Sequence, residues 1–111
     1  MKTRRERDSL GEKDIPADAL YGIQTARSLE HFDAGREIFP LRLVRNAIRL
    51  KRACALANRD LGALAPRLAD AIAAACDDAL AGAFDAAFPV DVYQTGSGTS
   101  THMNVTEVLA N

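Results

Sequence analysis

Behind Pro40, the residues Leu43, Ala47, Leu50, Cys54, Ala57 and Leu61 recur at intervals of four, three, four, three and four. That spacing predicts one long amphipathic helix opening at Pro40, because proline is tolerated at the first helical position and the repeat keeps all six on one stripe. The stripe reads as a seam facing another helix, with its alanines allowing close approach. Arg42, Arg45, Arg49 and Arg52 fall on the opposite side, where a solvated face is expected. Asn58-Arg59-Asp60-Leu61-Gly62 is expected to fray the helix, and Pro66 opens another. In that second segment Leu68, Ile72, Ala75 or Cys76, and Ala79 or Leu80 line one face, and Gly82 stands where a left-handed cap would end it. A short connection between two such helices predicts an antiparallel hairpin. Asp77 and Asp78 fall in its last turn, where negative charge opposes the helix dipole, and nothing else in the sequence accounts for them.

At 111 residues the chain forms one domain at most, 1–111, with a modest core. Alanine supplies much of the 48% hydrophobic content, while aromatics are 5% and Trp is absent, so an Ala-rich helical piece in need of a partner surface is expected. Fourteen basic against fifteen acidic residues leave a net charge of −1, which argues against nucleic acid or an anionic membrane as partner. No apolar run reaches transmembrane length and no signal-peptide core follows the basic N-terminus, so a cytoplasmic location is expected. Cys54 and Cys76 sit in Ala- and Leu-rich helical patterns without CxxC spacing or a nearby His cluster, and read as small core residues rather than disulfide or metal partners.

Before the hairpin, Arg4 to Asp14 lacks helical periodicity, and Ser9-Leu10-Gly11-Glu12 reads as a turn between two short extended pieces, forming an arm. Pro16 forces Ile15 toward an extended conformation, and Asp18 is expected to cap a helix from Ala19 to Phe32 with Gly22 as its weak point. Asp33-Ala34-Gly35-Arg36-Glu37 is a polar break. After the hairpin, Phe84 to Gln94 reads as a loop leading to a short extended piece, because Pro89 excludes an uninterrupted helix.

The stretch Gln94-Thr95-Gly96-Ser97-Gly98-Thr99-Ser100-Thr101-His102-Met103-Asn104 carries the chemistry. Its glycines let backbone amides approach a ligand, its hydroxyls are short donors, and Met103, Val105, Val108 and Leu109 continue as a helix from about Ser100 to Asn111. A polar loop feeding a helix N-terminus favours anions, through unpaired N–H groups and the positive end of the dipole. The alternative is a well-capped helix whose Ser and Thr only satisfy backbone donors. No Gly-Lys-Ser/Thr follows, so this is not a Walker A loop.

Gln94 to Ser100, Met103-Asn104 and Glu107-Val108-Leu109-Ala110-Asn111 closely resemble the first conserved region of the fumarase/aspartase superfamily. Arg4-Arg5-Glu6-Arg7-Asp8-Ser9-Leu10-Gly11-Glu12 and Tyr21-Gly22-Ile23-Gln24-Thr25-Ala26-Arg27-Ser28 match two further blocks, so the resemblance runs from about Arg4 to Asn111. Class II fumarases look most similar, then aspartate ammonia-lyases, which tend to have Gly-Gly-Ala-Gly-Thr where this chain has Thr95-Gly96-Ser97-Gly98-Thr99. The resemblance implies a mainly α N-terminal lyase domain, a helical hairpin with a short extended arm, in a chain that stops inside the helix after the loop and lacks the central helix bundle.

It further implies reversible hydration of fumarate to malate in the full-length enzyme, a small dicarboxylate substrate, no cofactor or metal, and a homotetramer whose sites combine residues of three subunits. Substrate contacts are carried at the positions of Ser97, Gly98 and Thr99, with Ser100, Thr101 and Asn104 as further candidates. The family's catalytic base is a serine on a Gly-Ser-Ser loop that no residue here matches, so the isolated chain is expected not to turn over. Arg5 stands where relatives carry an aliphatic residue, and His31, His102 and Thr106 where they carry Asn. An aspartate ammonia-lyase domain and an inactive helical interaction module are the alternative expectations.

Overall fold

The computed structural model describes residues 1–35 and 37–111; Arg36, inside the expected polar break at 33–37, lies outside the described residues. Strands β1 (Thr3–Asp8) and β2 (Gly11–Pro16) form an antiparallel hairpin whose register closes with Asp8 opposite Gly11. Gly11 sits at φ 117°, a region open to glycine, and the Leu10 amide donates to Asp8 Oδ1 at 2.9 Å across the turn. The period of two places Arg4, Glu6 and Asp8 on the half-buried face and leaves Arg5, Arg7, Glu12 and Asp14 outward. Outward Arg5 pairs with Asp14 at 3.0 Å and Glu12 at 3.5 Å, so charge partners across the hairpin hold it.

Helix α1 spans Ile23–His31, later than the expected start at Ala19, and Asp18 does not cap it. The cause is Arg4, whose guanidinium donates to the carbonyls of Pro16 (3.2 Å), Ala17 (3.3 Å), Ala19 (2.6 Å) and Tyr21 (2.9 Å). Arg4 thus gathers the carbonyls of a non-helical lead-in, and Gly22 is the N-cap. α2 (Leu41–Asp60) starts right after Pro40, which is its N-cap rather than its first helical residue, and α3 (Pro66–Leu80) starts at Pro66 as expected. Ion pairs Arg52–Asp77 and Arg59–Asp70 join them, Arg45–Asp85 ties α2 to the turn after α3, and the rising numbers on α2 against falling ones beyond it make the pair antiparallel. Asp77 is thus accounted for by Arg52 rather than by its own helix.

Both helices end the same way. Gly62 (φ 72°) and Gly82 (φ 91°) take the left-handed position. Ala63 N–H bonds Asn58 O at 2.8 Å and Gly62 N–H bonds Arg59 O at 3.0 Å, with Ala83 to Asp78 O (3.2 Å) and Gly82 to Ala79 O (3.1 Å) as the counterparts. This is the Schellman pattern, so α2 runs whole to Asp60 instead of fraying at Asn58.

The face of α2 that is buried is not the predicted seam. Val44, Ile48 and Ala55 are buried, whereas Leu43, Leu50 and Leu61 are 51%, 65% and 80% exposed and Cys54 is exposed too. Two apolar stripes share this helix, and the more regular one faces away from the chain's own core. The arginines misdirect the reading: Arg45 and Arg52 flank the buried stripe and reach out to acids at its rim, laying their stems along it. On α3 the buried set is Ala69, Ala73, Cys76 and Ala79, while Leu68 is 45% exposed, a small rotation from the expected face. Burial pushes the Cys76 thiol above its ordinary value.

After α3 the chain makes one 3-10 turn at Asp85–Ala87 and then runs back beside 37–39, with Phe39 N–H to Val90 O at 2.7 Å and Val92 N–H to Glu37 O at 2.8 Å. Helix α4 (Thr99–Ala110) closes the core, in which Val105 and Val108 meet Val44, Ile48, Cys76, Ala79 and Phe88. Among the described residues no helix is long and apolar enough to cross a membrane.

The two stripes of α2 predict opposite responses to the same truncation. Ile48→Ala removes a fully buried side chain and should cost about 2–5 kcal/mol in urea unfolding, while Leu50→Ala should stay within about 0.5 kcal/mol. Equal losses would contradict the assignment of faces.

Candidate functional site

Gln94 to Thr101 crosses from the returning strand-like segment into α4. Gly98 is the N-cap of α4 at φ 74°, ψ 13°, a left-handed conformation that glycine adopts without strain. Its N–H closes a tight turn onto Thr95 O at 2.9 Å, which lifts Gly96 and Ser97 outward. Ser97 and Thr99 are exposed, and their hydroxyl oxygens lie 2.7 Å apart, bonded to each other rather than to their own main chain. Ser100 and Thr101 are buried beneath them.

The first turn of α4 is capped from one side only. Ser100 N–H points to Thr95 Oγ1 at 3.4 Å, Thr101 N–H donates to Gln94 Oε1 at 3.0 Å, and His102 N–H bonds Gly98 O at 3.1 Å. Thr99 N–H has no protein acceptor among the described residues. Two hydroxyls and one free amide therefore converge at the tip, in the field of a helix N-terminus. Asn104, the remaining candidate, is 2% exposed and donates to Ala87 O at 3.0 Å, so it ties α4 to the 3-10 turn and does not reach the tip.

Beside Thr99 and Ser100 lies a cleft of about 160 Å³ whose other wall is α1, through Gln24, Arg27, Ser28, His31 and Phe32. α1 carries no acid in its own first turn. Carboxylates from elsewhere supply its cap: Glu6 Oε2 accepts Ile23 N–H at 2.8 Å, and Glu107 accepts Gln24 N–H (3.0 Å), Thr25 N–H (2.8 Å) and Thr25 Oγ1 (2.7 Å). A Cβ on Gly22 would stand 2.1 Å from Glu107 Oε2, so a side chain there would push this carboxylate off the helix amides. Arg27 is held by Asp8 through two bonds of 2.8 Å, and Gln24 also donates to Asp8. Thr25, buried, and Arg27, partly buried, are thus partners of carboxylates.

His31 and His102 occupy different surroundings. His31 Nδ1 donates to Arg27 O at 2.8 Å at the edge of the cleft. His102 and Thr106 line a separate, largely apolar groove with Ala47, Leu50, Cys54 and Leu109. The groove lies on the other side of α4 from the cleft residues Thr99 and Met103. Among the described residues no cluster of His, Cys, Asp or Glu is arranged to hold a metal ion. Glu6, Glu107 and Gln94 carry structural roles that the sequence reading did not assign. Glu107 is the lone acid of α4, which was the available signal for it.

Known proteins share this arrangement. A family profile described as Lyase matches residues 11–111. The chain is 53% identical over 109 residues to the class II fumarate hydratase of Thermosynechococcus vestitus, covering 98% of this chain and 23% of that protein. Its fold is similar to the fumarate lyase:delta crystallin structure from Brucella melitensis, with TM-score 0.95 and 48% identity over 99% of this chain and 26% of that one. The recombinant class II fumarase of Schistosoma mansoni gives TM-score 0.95 and 42% identity over 97% of this chain and 23% of that one. The chain spans about a quarter of the length of the relatives it matches.

The Asp8–Arg27 pair beneath the cleft sets a pH signature. The Arg27 guanidinium holds the Asp8 carboxyl below its ordinary 3.8, partial burial opposes this, and the amides of Leu10 and Gly11 add to the lowering. A depressed folded-state value means that the stabilisation is complete above the unfolded value and is lost as pH falls through the folded one. The stability gap between the parent chain and Asp8→Asn should be constant above about pH 5 and should close as pH drops below 3.8. A gap that persists unchanged at the lowest pH, measured by urea unfolding, would show that the charge of Asp8 contributes nothing.

Proposed function

The chain belongs to the fumarase/aspartase lyase family, and from that premise we propose that it is the N-terminal domain of a class II fumarase-like enzyme and supplies one wall of its dicarboxylate site. The observation that carries this reading is the tip of the loop: Ser97 and Thr99 hydroxyls, 2.7 Å apart and exposed, beside the unpaired Thr99 amide at the N-terminus of α4. The left-handed backbone at Gly98 is what brings the three together.

In this reading one carboxylate of malate or fumarate accepts from these donors. Removing the proton on the neighbouring carbon pushes charge onto that carboxylate, and hydroxide or water then leaves from the next carbon. Donors already aligned where the charge develops stabilise that step more than they stabilise the bound substrate, which is the condition for a rate increase. The base is supplied by residues outside 1–111, on the Gly-Ser-Ser loop of the family, and the complete site needs the rest of the longer protein. Ser97 favours a hydratase over an aspartate ammonia-lyase, in which the matching residue tends to be Ala.

A chimaera tests the reading. Residues 1–111 replace the matching N-terminal quarter of the Thermosynechococcus vestitus enzyme, with which they share 53% identity. The chimaera should hydrate fumarate, and Ser97→Ala or Thr99→Ala should each lower kcat/KM on the order of 10²-fold. The chain alone should show no hydration above background. A chimaera that deaminates aspartate but leaves malate untouched, or substitutions without effect on either reaction, would contradict the proposal.

A further inference from the structure

Which donors the loop offers is decided by a residue that does not face the tip. The Gln94 side chain donates from Nε2 to Asp91 O at 3.1 Å and to Thr101 Oγ1 at 2.7 Å, and its Oε1 accepts Thr101 N–H at 3.0 Å. It therefore ties the incoming limb of the loop to the first turn of α4. Both anchors are firm. Thr101 is 9% exposed, and Asp91 is bridged to Ile38 while its own carboxylate accepts Tyr93 N–H at 2.8 Å.

We propose that Gln94, with Thr101, is the positioning residue that fixes where on this helix N-terminus a substrate carboxylate sits; the inference rests on the proposed carboxylate-binding role of Ser97 and Thr99. An uncapped N-terminus offers several amides to an anion, and the anion can settle on any of them. Here Gln94 occupies the amide of Thr101, Thr95 faces that of Ser100, and Gly98 O takes that of His102. The outermost donors remain: Thr99 N–H and the Ser97–Thr99 hydroxyl pair, in which one proton bridges the two oxygens and the other is free. Without the clamp, Thr101 N–H becomes a competing donor lower in the helix, and the loop above it loses its tether to Asp91. Shifted by even a single residue, the carboxylate would lose the hydroxyl pair and the Thr99 amide, so the substrate is held less tightly and its reacting carbon sits out of line with the base.

Two measurements test this. In the 111-residue chain, Gln94→Leu should speed amide hydrogen exchange at Thr101 by about tenfold or more while the amides of Ile48 and Val105 keep their protection. Unchanged exchange at Thr101 overturns the clamp. In the chimaera, Gln94→Leu and Thr101→Val should each raise KM for malate about tenfold, and Thr101→Ser, which keeps the hydroxyl, should stay within about threefold of the parent. Loss of folded enzyme lowers the apparent kcat and leaves KM alone, so a changed kcat with constant KM also overturns the proposal. If Ser97→Ala and Thr99→Ala lower activity and the Gln94 and Thr101 variants leave KM unmoved, the clamp fails and the carboxylate reading stands. If the loop hydroxyls themselves prove silent, it is the carboxylate reading that fails, and the clamp as a determinant of substrate position falls with it.

Discussion

The carboxylate of Glu107 at the N-terminus of α1 is the contact on which the relative placement of the elements depends. Four backbone amides at the start of any helix lack internal partners, and α1 brings no acid of its own to satisfy them. Glu107, 82 residues away on α4, takes two of those amides and the Thr25 hydroxyl, and Glu6 from β1 takes a third amide. Arg4 completes the junction by pairing with Glu6 at 2.9 Å while gathering the carbonyls that lead into α1. Arm, first helix and last helix therefore meet around a few charged groups, with Ile15, Ile23 and Ala26 buried as well. Gly22 belongs to the same approach, since a Cβ there would overlap the two carboxylates and displace them from the amides.

This junction aligns the loop. α4 begins with Gly98 and is fixed further along at Glu107, so the wall of α1 that carries Gln24, Arg27 and His31 stands beside Thr99 and Ser100. The loop itself has a buried half and an exposed half. Ser100, Thr101 and Asn104 hold the helix to the body of the chain, whereas Ser97 and Thr99 are left with their hydrogen-bonding capacity facing outward. A proposed carboxylate site at that tip needs no rearrangement of the core to receive its ligand.

Punctuation was the part of the fold most legible in the sequence. Pro40 and Pro66 mark helix starts, Gly82 marks a left-handed end, and Ser9-Leu10 marks the hairpin turn, because each depends on local backbone sterics, whereas Gly62, read as part of a frayed end, caps α2 in the same left-handed way. Faces were less legible. The repeat Leu43, Ala47, Leu50, Cys54 shows that α2 is amphipathic, but a helix with two apolar stripes does not declare which one its own chain will bury, and the arginines bordering Val44 and Ile48 look solvated until their acidic partners are placed. Cys54, assigned to the core on that basis, is exposed. The start of α1 was illegible for another reason: Asp18 is a good local cap, and it loses to Arg4 and Glu107, which act across the fold. In the site, the loop was recognisable from its glycines and hydroxyls and from the family resemblance, while the parts played by Gln94 and Glu107 emerge only when distant segments are brought together.

The most direct measurement of this account is a double-mutant cycle between Glu107 and Thr25, using Glu107→Gln and Thr25→Val in the 111-residue chain. Because the carboxylate binds the Thr25 hydroxyl and amide at once, the two changes should be coupled by about 1 kcal/mol or more in urea unfolding. Effects that simply add, with coupling near zero, would show that the α1–α4 junction does not rest on this carboxylate.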